Sequence, residues 1–321
     1  KLATLKFLDP ACGCGNFLVI AYRELRALEL AVLKRQFATQ QSVLVRVQDH
    51  VFIDVDQFYG IEIEEFPAQI AQVAMWLMDH QMNLRVSEHF GENVVRLPLK
   101  KSATIVHGNA LRMDWNDVVA AGELSYILGN PPFIGSKMMS AEQREDLLAI
   151  AGPLKGAGVL DFVSAWYLKA AAYLKPLSPR ERGWGEGQGD SNYQAPSPGA
   201  ARHPLPGGEG KGTRCAFVST NSITQGEQVG VLWGAMLAAG MRIFFAHRTF
   251  QWNNEARGVA AVHCVIVGFA HGEITPKRLF DYQDIRGEAH ELAAGNINPY
   301  LVDADDVLLP NRRTCLASVP P

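Results

Sequence analysis

Asn130-Pro131-Pro132-Phe133 combines, within four positions of this 321-residue chain, the residue types best suited to chemistry. It follows Ser125 to Leu128, a short apolar run closed by Gly129, which is the pattern of a buried strand. Two consecutive prolines cannot donate to a hydrogen-bonded ladder, and each fixes its own φ and biases the residue before it away from helical angles. Asn130 and Pro131 are therefore held extended where the chain leaves the sheet, with carbonyls directed outward. An amide side chain, an exposed carbonyl and an aromatic face at fixed positions suit a planar group bearing an NH2. The carbonyls accept from its amino hydrogens and the ring of Phe133 stacks on its plane. The same four residues also fit an ordinary turn after a strand.

A second set of polar positions lies upstream. Leu5 to Leu8 reads as a buried strand, and Asp9-Pro10-Ala11-Cys12-Gly13-Cys14-Gly15-Asn16-Phe17 follows as a glycine-containing turn. Gly13 and Gly15 let the backbone approach a ligand that a Cβ would block, and the N-terminus of the next helix offers unpaired N–H groups. A tight turn without a ligand has the same pattern. That helix runs from Phe17 to about Gln36, with apolar residues at Leu18, Ala21, Tyr22, Leu25 and Leu28 and with Asn16 as its expected cap. The next strand, Phe58 to Ile63, carries Glu62 near its end, where a carboxylate is placed to accept both hydroxyls of a ribose. A helix from Glu65 to about Gln81 and a strand from Ala103 to Val106 follow, the latter leading to Asn109.

These elements alternate as strand, helix, strand, which predicts an α/β fold: a doubly wound, mainly parallel sheet with helices on both faces. The glycine turn, Glu62 and Asn109 then meet at the C-terminal ends of strands, where open α/β sheets bind ligands. Downstream, Val159 to Leu174 has helical spacing and aromatic weight, with Asp161 as a dipole or capping residue. Arg214 to Thr220 reads as a strand and Glu227 to Ala239 as a helix. Arg242 to His247 and Ala260 to Phe269 read as a hairpin-like pair closing the sheet edge, separated by Phe250-Gln251-Trp252-Asn253-Asn254.

Composition limits the remaining classes. With 48% hydrophobic residues the chain can bury a large core, and 30 basic against 33 acidic residues exclude binding of polyanions by bulk charge. Five scattered cysteines suit a reducing cytosol, and Cys12-Gly13-Cys14 lacks the spacing of a zinc site. Neither a signal peptide nor an apolar run of membrane-spanning length stands out. Between Pro176 and Thr213, 15 of 38 residues are Gly or Pro. Such a segment buries too little surface to offset its ordering entropy, so residues 177–212 are expected to be a flexible insertion in one domain over residues 1–281.

Asp9 to Phe17, Gly60-Ile61-Glu62 and Gly129 to Phe133, in that order, resemble the gamma class of adenine-N6 DNA methyltransferases. The MmeI-like fused restriction-modification enzymes are the nearest likeness. Asp161 to Lys169, Phe217 to Glu227 and Ala261 to Gly268 also resemble that family's methyltransferase domain. The resemblance implies a Rossmann-like, seven-stranded class I methyltransferase fold with an antiparallel edge strand, and S-adenosylmethionine as cofactor. Asp9, Ala11, Gly13 and Gly15 would line its methionine end, Glu62 its ribose, and Ile63 and Asn109 its adenine, with Phe17 also among the cofactor-binding residues. Asn130, Pro131, Pro132 and Phe133 would hold a flipped adenine, with Phe250 or Trp252 on its opposite face.

The resemblance further implies double-stranded DNA as partner, an endonuclease module or partner subunits, and a bacterial cytoplasmic setting. The chain starts at its first strand and has about forty residues after Asp281. Residues 282–321 are therefore expected to be the cut-short start of a region leading to a target-recognition domain, and the chain is expected to be a fragment. Two other readings stand beside this one. A planar NH2 is also presented by a glutamine amide or by the guanine of RNA, and the fold could persist as an inactive remnant.

Overall fold

The computed structural model describes residues 1–38, 46–91, 102–175, 212–252 and 262–308. Its strands are β1 (Phe7–Asp9), β2 (Phe58–Glu62), β3 (Thr104–His107), β4 (Tyr126–Gly129), β5 (Arg214–Thr220), β6 (Met241–Trp252), β7 (Val262–His271), β8 (Lys277–Asp281) and β9 (His290–Ala294). The helices are α1 (Asn16–Ala38), α2 (Glu65–Phe90), α3 (Ala141–Ala151), α4 (Ser164–Leu174) and α5 (Gly226–Ala238). Among the described residues no helix is long and apolar enough to cross a membrane. The expected insertion, apart from Gly212, lies outside the described residues.

All strands join one sheet in the order β3-β2-β1-β4-β5-β7-β6-β8-β9. The first five pair in parallel, with Leu8 opposite Tyr59 on one side and Ile127 on the other. Side chains alternate across a pleated strand. Phe7 and Phe58 accordingly join the core beneath α1 and α2, whereas Leu8, Ile61 and Ile127 join the core beneath α4 and α5. A buried network clamps α1 to α2: Arg26 donates to Asp79 and Asn83, and Tyr22 donates to Asp79. Burying a charge costs several kcal/mol unless it is paired, so this network fixes how the two helices sit.

The sheet is wider than the expected seven strands, because β8 and β9 extend it. β7 is antiparallel to both β5 and β6, so the expected edge hairpin is interior, and the antiparallel edge strand is β9. Phe250, Gln251 and Trp252, read as a spacer, are the end of β6, which carries register shifts at Ile243/Phe245 and His247/Phe250. Bulges of this kind let a long strand bend without losing its pairing.

Helix limits differ as well. Asn16 is the first residue of α1 and not its cap, and α2 continues past Gln81 to Phe90, where Gly91 in the left-handed region ends it. Helix α3 was not anticipated; Ser140 and Gln143 form a capping box at its start. The expected helix from Val159 begins only at Ser164, because residues 160–163 run extended or in a turn that ties to the loop after β4.

Candidate active site

The turn after β1 is shaped by its glycines. Gly13 has φ +54° and a Cβ there would meet nothing within 4 Å, so it borders open space. Gly15 has φ +83° and a Cβ there would lie 3.0 Å from Cβ of Ala71, so its role is close packing of the turn on α2. The N–H of Gly13 donates to Oε2 of Glu62 at 2.8 Å, and the N–H of Glu64 donates to Oε1 at 3.0 Å. The carboxylate at the end of β2 thus holds the glycine turn in place and keeps further lone pairs for a ligand.

Asp9 ends β1 and is 1% exposed. Its Oδ1 accepts from the N–H of Ala11 at 3.0 Å. Burial pushes its carboxyl up to about 7 against the lowering effect of that hydrogen bond, and the charge of Glu62 adds to the rise. Burial likewise pushes the Cys12 thiol up, with smaller contributions from Asp9 and Glu62. Cys12 is therefore a protonated packing residue.

A cavity of about 430 Å³ lies at the C-terminal ends of β1 to β4. Ala11, Gly13, Glu62, Ile63, Asn109, Asn130 and Pro132 line it, so the structure gathers these expected residues around one space. The others lie elsewhere. Asp9 sits beneath the turn, Gly15 packs on α2, and Phe17 is half-buried on α1. Pro131 is buried and Phe133 half-buried, and neither borders the cavity. Phe250 stacks on Tyr282 with ring centroids 5.4 Å apart, and Trp252 lies beside it. Both are on β6, three strand positions from β4 in the sheet, and neither lines the cavity.

Asn130 is distinctive electrostatically. Its Oδ1 is buried and has no hydrogen-bond partner among the described atoms, although the residue faces the cavity. A buried acceptor left unpaired costs about 1–3 kcal/mol, which a donor arriving in the cavity would recover.

Sequence reasoning missed several residues of the site. Phe162 and Trp166, two aromatics of the stretch expected to be a helix from Val159 to Leu174, line the cavity; Trp166 also donates from Nε1 to the carbonyl of Pro10 at 3.1 Å. Their rings meet edge to face, centroids 5.2 Å apart. Asp161, 8% exposed, does not cap α4. Its Oδ1 accepts from the N–H of Ser136 at 2.8 Å, its Oδ2 from the hydroxyl of Ser222, and its own N–H donates to Oε1 of Gln228. The N–H of Phe162 donates to the carbonyl of Ile134 at 2.9 Å, and the guanidinium of Arg144 donates to that of Ser136. The loop after β4 is therefore tied to α3 and, through Asp161, to the turn after β5 and to α5. Ser140, Glu142, Gln143 and Asp146 at the start of α3 complete the wall, for which the Ser140–Gln143 capping box was the available signal.

The family described as MmeI, DNA-methyltransferase domain, has a model that matches residues 1–181 and 208–281. The chain belongs to that family. The match to the MmeI DNA-methyltransferase domain breaks at residues 182–207, inside the Gly- and Pro-rich segment. Among relatives, DNA methyltransferase A of Bacillus subtilis (strain 168) is 36% identical over 324 residues, covering 100% of this chain and 32% of that protein. The solved structure of the Type IIL restriction-modification enzyme MmeI in complex with DNA is 49% identical with a TM-score of 0.84, covering 99% of this chain and 38% of that chain. The type IIG restriction endonuclease BpuSI, at 12% identity and a TM-score of 0.50 over 88% of this chain and 24% of that chain, shows the shared fold alone. This chain thus spans roughly a third of the length of its MmeI-domain relatives.

Proposed function

We propose that this chain is the catalytic module of a restriction-modification DNA methyltransferase that methylates the N6 amino group of a flipped adenine. The observation that carries this reading is Asn130 in the wall of a cavity that Glu62 and the glycine turn also line, its Oδ1 buried and without a partner among the described atoms. The order of the three motifs supports adenine N6 as the acceptor. Membership of the MmeI domain family, and likeness to a relative solved with DNA, support DNA as the substrate.

The cavity fits S-adenosylmethionine. Gly13 would admit its methionine portion, Glu62 would accept from its ribose hydroxyls, and Ile63 with the loop at Asn109 would enclose its adenine. The group supplies an electrophilic methyl on a sulfonium. An aromatic amine is a poor nucleophile because its lone pair is delocalised into the ring. Asn130 would accept from one amino hydrogen and the adjoining backbone carbonyl from the other, which favours a pyramidal nitrogen with its lone pair directed into the cavity. The proton released on transfer leaves to solvent. Phe133, half-buried on the same loop, would meet the flipped base after the duplex has opened.

The test is tritium labelling from the cofactor with DNA, RNA and protein offered in parallel to this chain and to the full-length relative, followed by nucleoside analysis. Label in N6-methyladenine is the expected product, with Asn130→Ala silent in both proteins. Label in guanine, or in a glutamine side chain, would overturn the substrate assignment. Absence of cofactor binding by calorimetry would favour an inactive remnant.

A further inference from the structure

One wall of the cavity carries a carboxylate for which no sequence motif accounts. Asp146, on α3, is 6% exposed and borders the cavity. Its Oδ2 accepts from Nδ2 of Asn109 at 2.9 Å and its Oδ1 from Nε of Arg112 at 2.6 Å. Oδ1 of Asn109 is already engaged by the N–H of Leu111 at 2.9 Å. Asn109 thus turns a donor toward Asp146, and its Oδ1 already accepts one hydrogen bond. The buried charged acceptor beside it is the Asp146 carboxylate, and each of its oxygens can accept a second hydrogen bond. Ile61, Ile63 and Ala110 supply apolar walls beside it, and Ile63 is 56% exposed, an apolar surface suited to a flat ring.

We propose that Asp146 is the specificity-determining residue for the purine of the cofactor, accepting a hydrogen bond from its exocyclic amine, with Asn109 and Arg112 as the groups that hold the carboxylate in position. This assignment rests on the nucleoside reading of the cavity. An amino-bearing ring satisfies the carboxylate. A ring with a carbonyl at that position brings two acceptors together without a proton between them, and buried polar groups left unpaired are what make such sites selective.

The experiment is calorimetry of the full chain with S-adenosylhomocysteine and with S-inosylhomocysteine, in which the exocyclic amine is replaced by a carbonyl and the adjacent ring nitrogen carries a proton. The intact protein is expected to prefer the amino compound by more than about ten-fold. Asp146→Asn, which adds a donor in the same shape, should bring the ratio within about three-fold. Asn109→Ala should weaken both ligands yet keep the preference. A ratio near one in the intact protein, an unchanged ratio in Asp146→Asn, or loss of the preference in Asn109→Ala would each overturn the assignment. If Asp146→Asn does not fold, the intact protein and Asn109→Ala still decide it. Equal binding of both compounds removes this assignment alone, whereas binding of neither removes the nucleoside reading with it.

Discussion

The carboxylate of Asp9 is packed directly on the α-carbon of Gly129: a Cβ at position 129 would fall 2.6 Å from Oδ1. The residue that ends the apolar strand before Asn130 is thus glycine because a neighbouring strand lays a buried carboxyl across it. Gly129→Ala should destabilise the fold by about 1–3 kcal/mol, since the carboxyl is enclosed and cannot swing aside. Urea denaturation measures this, and an unchanged midpoint would show that the carboxyl can move.

Asp9 also gives a pH dependence. Its folded-state pKa of about 7 lies above the ordinary carboxylate value, so the folded protein holds a proton that the unfolded chain releases. The resulting stability is complete below about pH 4 and is lost as pH rises through about 7, by at most about 4 kcal/mol. Asp9→Asn, which keeps an acceptor for the Ala11 amide, should remove that part of the dependence. Melting temperatures of both proteins at pH 5 and pH 8 test it, and parallel profiles would count against it.

On the methyl-transfer reading, Asn130→Ala deletes an acceptor that meets no protein donor among the described residues. Transfer should fall by more than about a hundred-fold. Cofactor affinity should stay within about three-fold, and stability should be unchanged or slightly raised. Equal loss of cofactor binding and transfer would make Asn130 a structural residue.

Glu62→Ala should act the other way, because Oε2 and Oε1 accept from the amides of Gly13 and Glu64. Cofactor affinity should drop by more than about ten-fold, with a loss of about 1–3 kcal/mol in stability from the freed glycine turn. Calorimetry with S-adenosylhomocysteine reads the first effect, and unaltered affinity would remove Glu62 from the site.

Asp161→Ala should release the loop after β4, since Ser136 and Ser222 lose their shared acceptor. The expected signature is a fall in kcat of about ten- to a hundred-fold with cofactor affinity retained, because the residue holds the loop and does not line the cavity. An effect confined to thermal stability would mean that the loop keeps its shape without it.

The parts of the site that were legible in the sequence are those made by local pattern. The glycine turn, Glu62 at a strand end and the proline-stiffened exit at Asn130 each follow from residues within a few positions, and the parallel order then gathers them. What escaped depends on distant partners. Asp161 carries the marks of a helix cap, yet its acceptors serve residues 25 and 61 positions away. Trp166 is one aromatic in an apolar helix until Pro10 gives its indole a partner 156 residues upstream. Helix α3 groups its polar residues, Glu142 to Asp146, in the first half and its apolar ones in the second, so it shows little helical periodicity and only its capping box marked it. Strand β8 and the edge strand β9 were invisible because each is short and mixes charged with apolar residues, which hides the apolar alternation.

The adjacency of β1 and β4 has a further consequence. The glycine turn and the Asn130 loop hang from the ends of two strands that pair directly, Leu8 opposite Ile127. Their separation is set by the backbone ladder, about 4.8 Å per strand. On the methyl-transfer reading, the spacing between the turn that would hold the cofactor and the loop that would hold the acceptor is therefore set by the backbone of the sheet. Loops elsewhere on the surface can then vary without moving these two strand ends relative to each other.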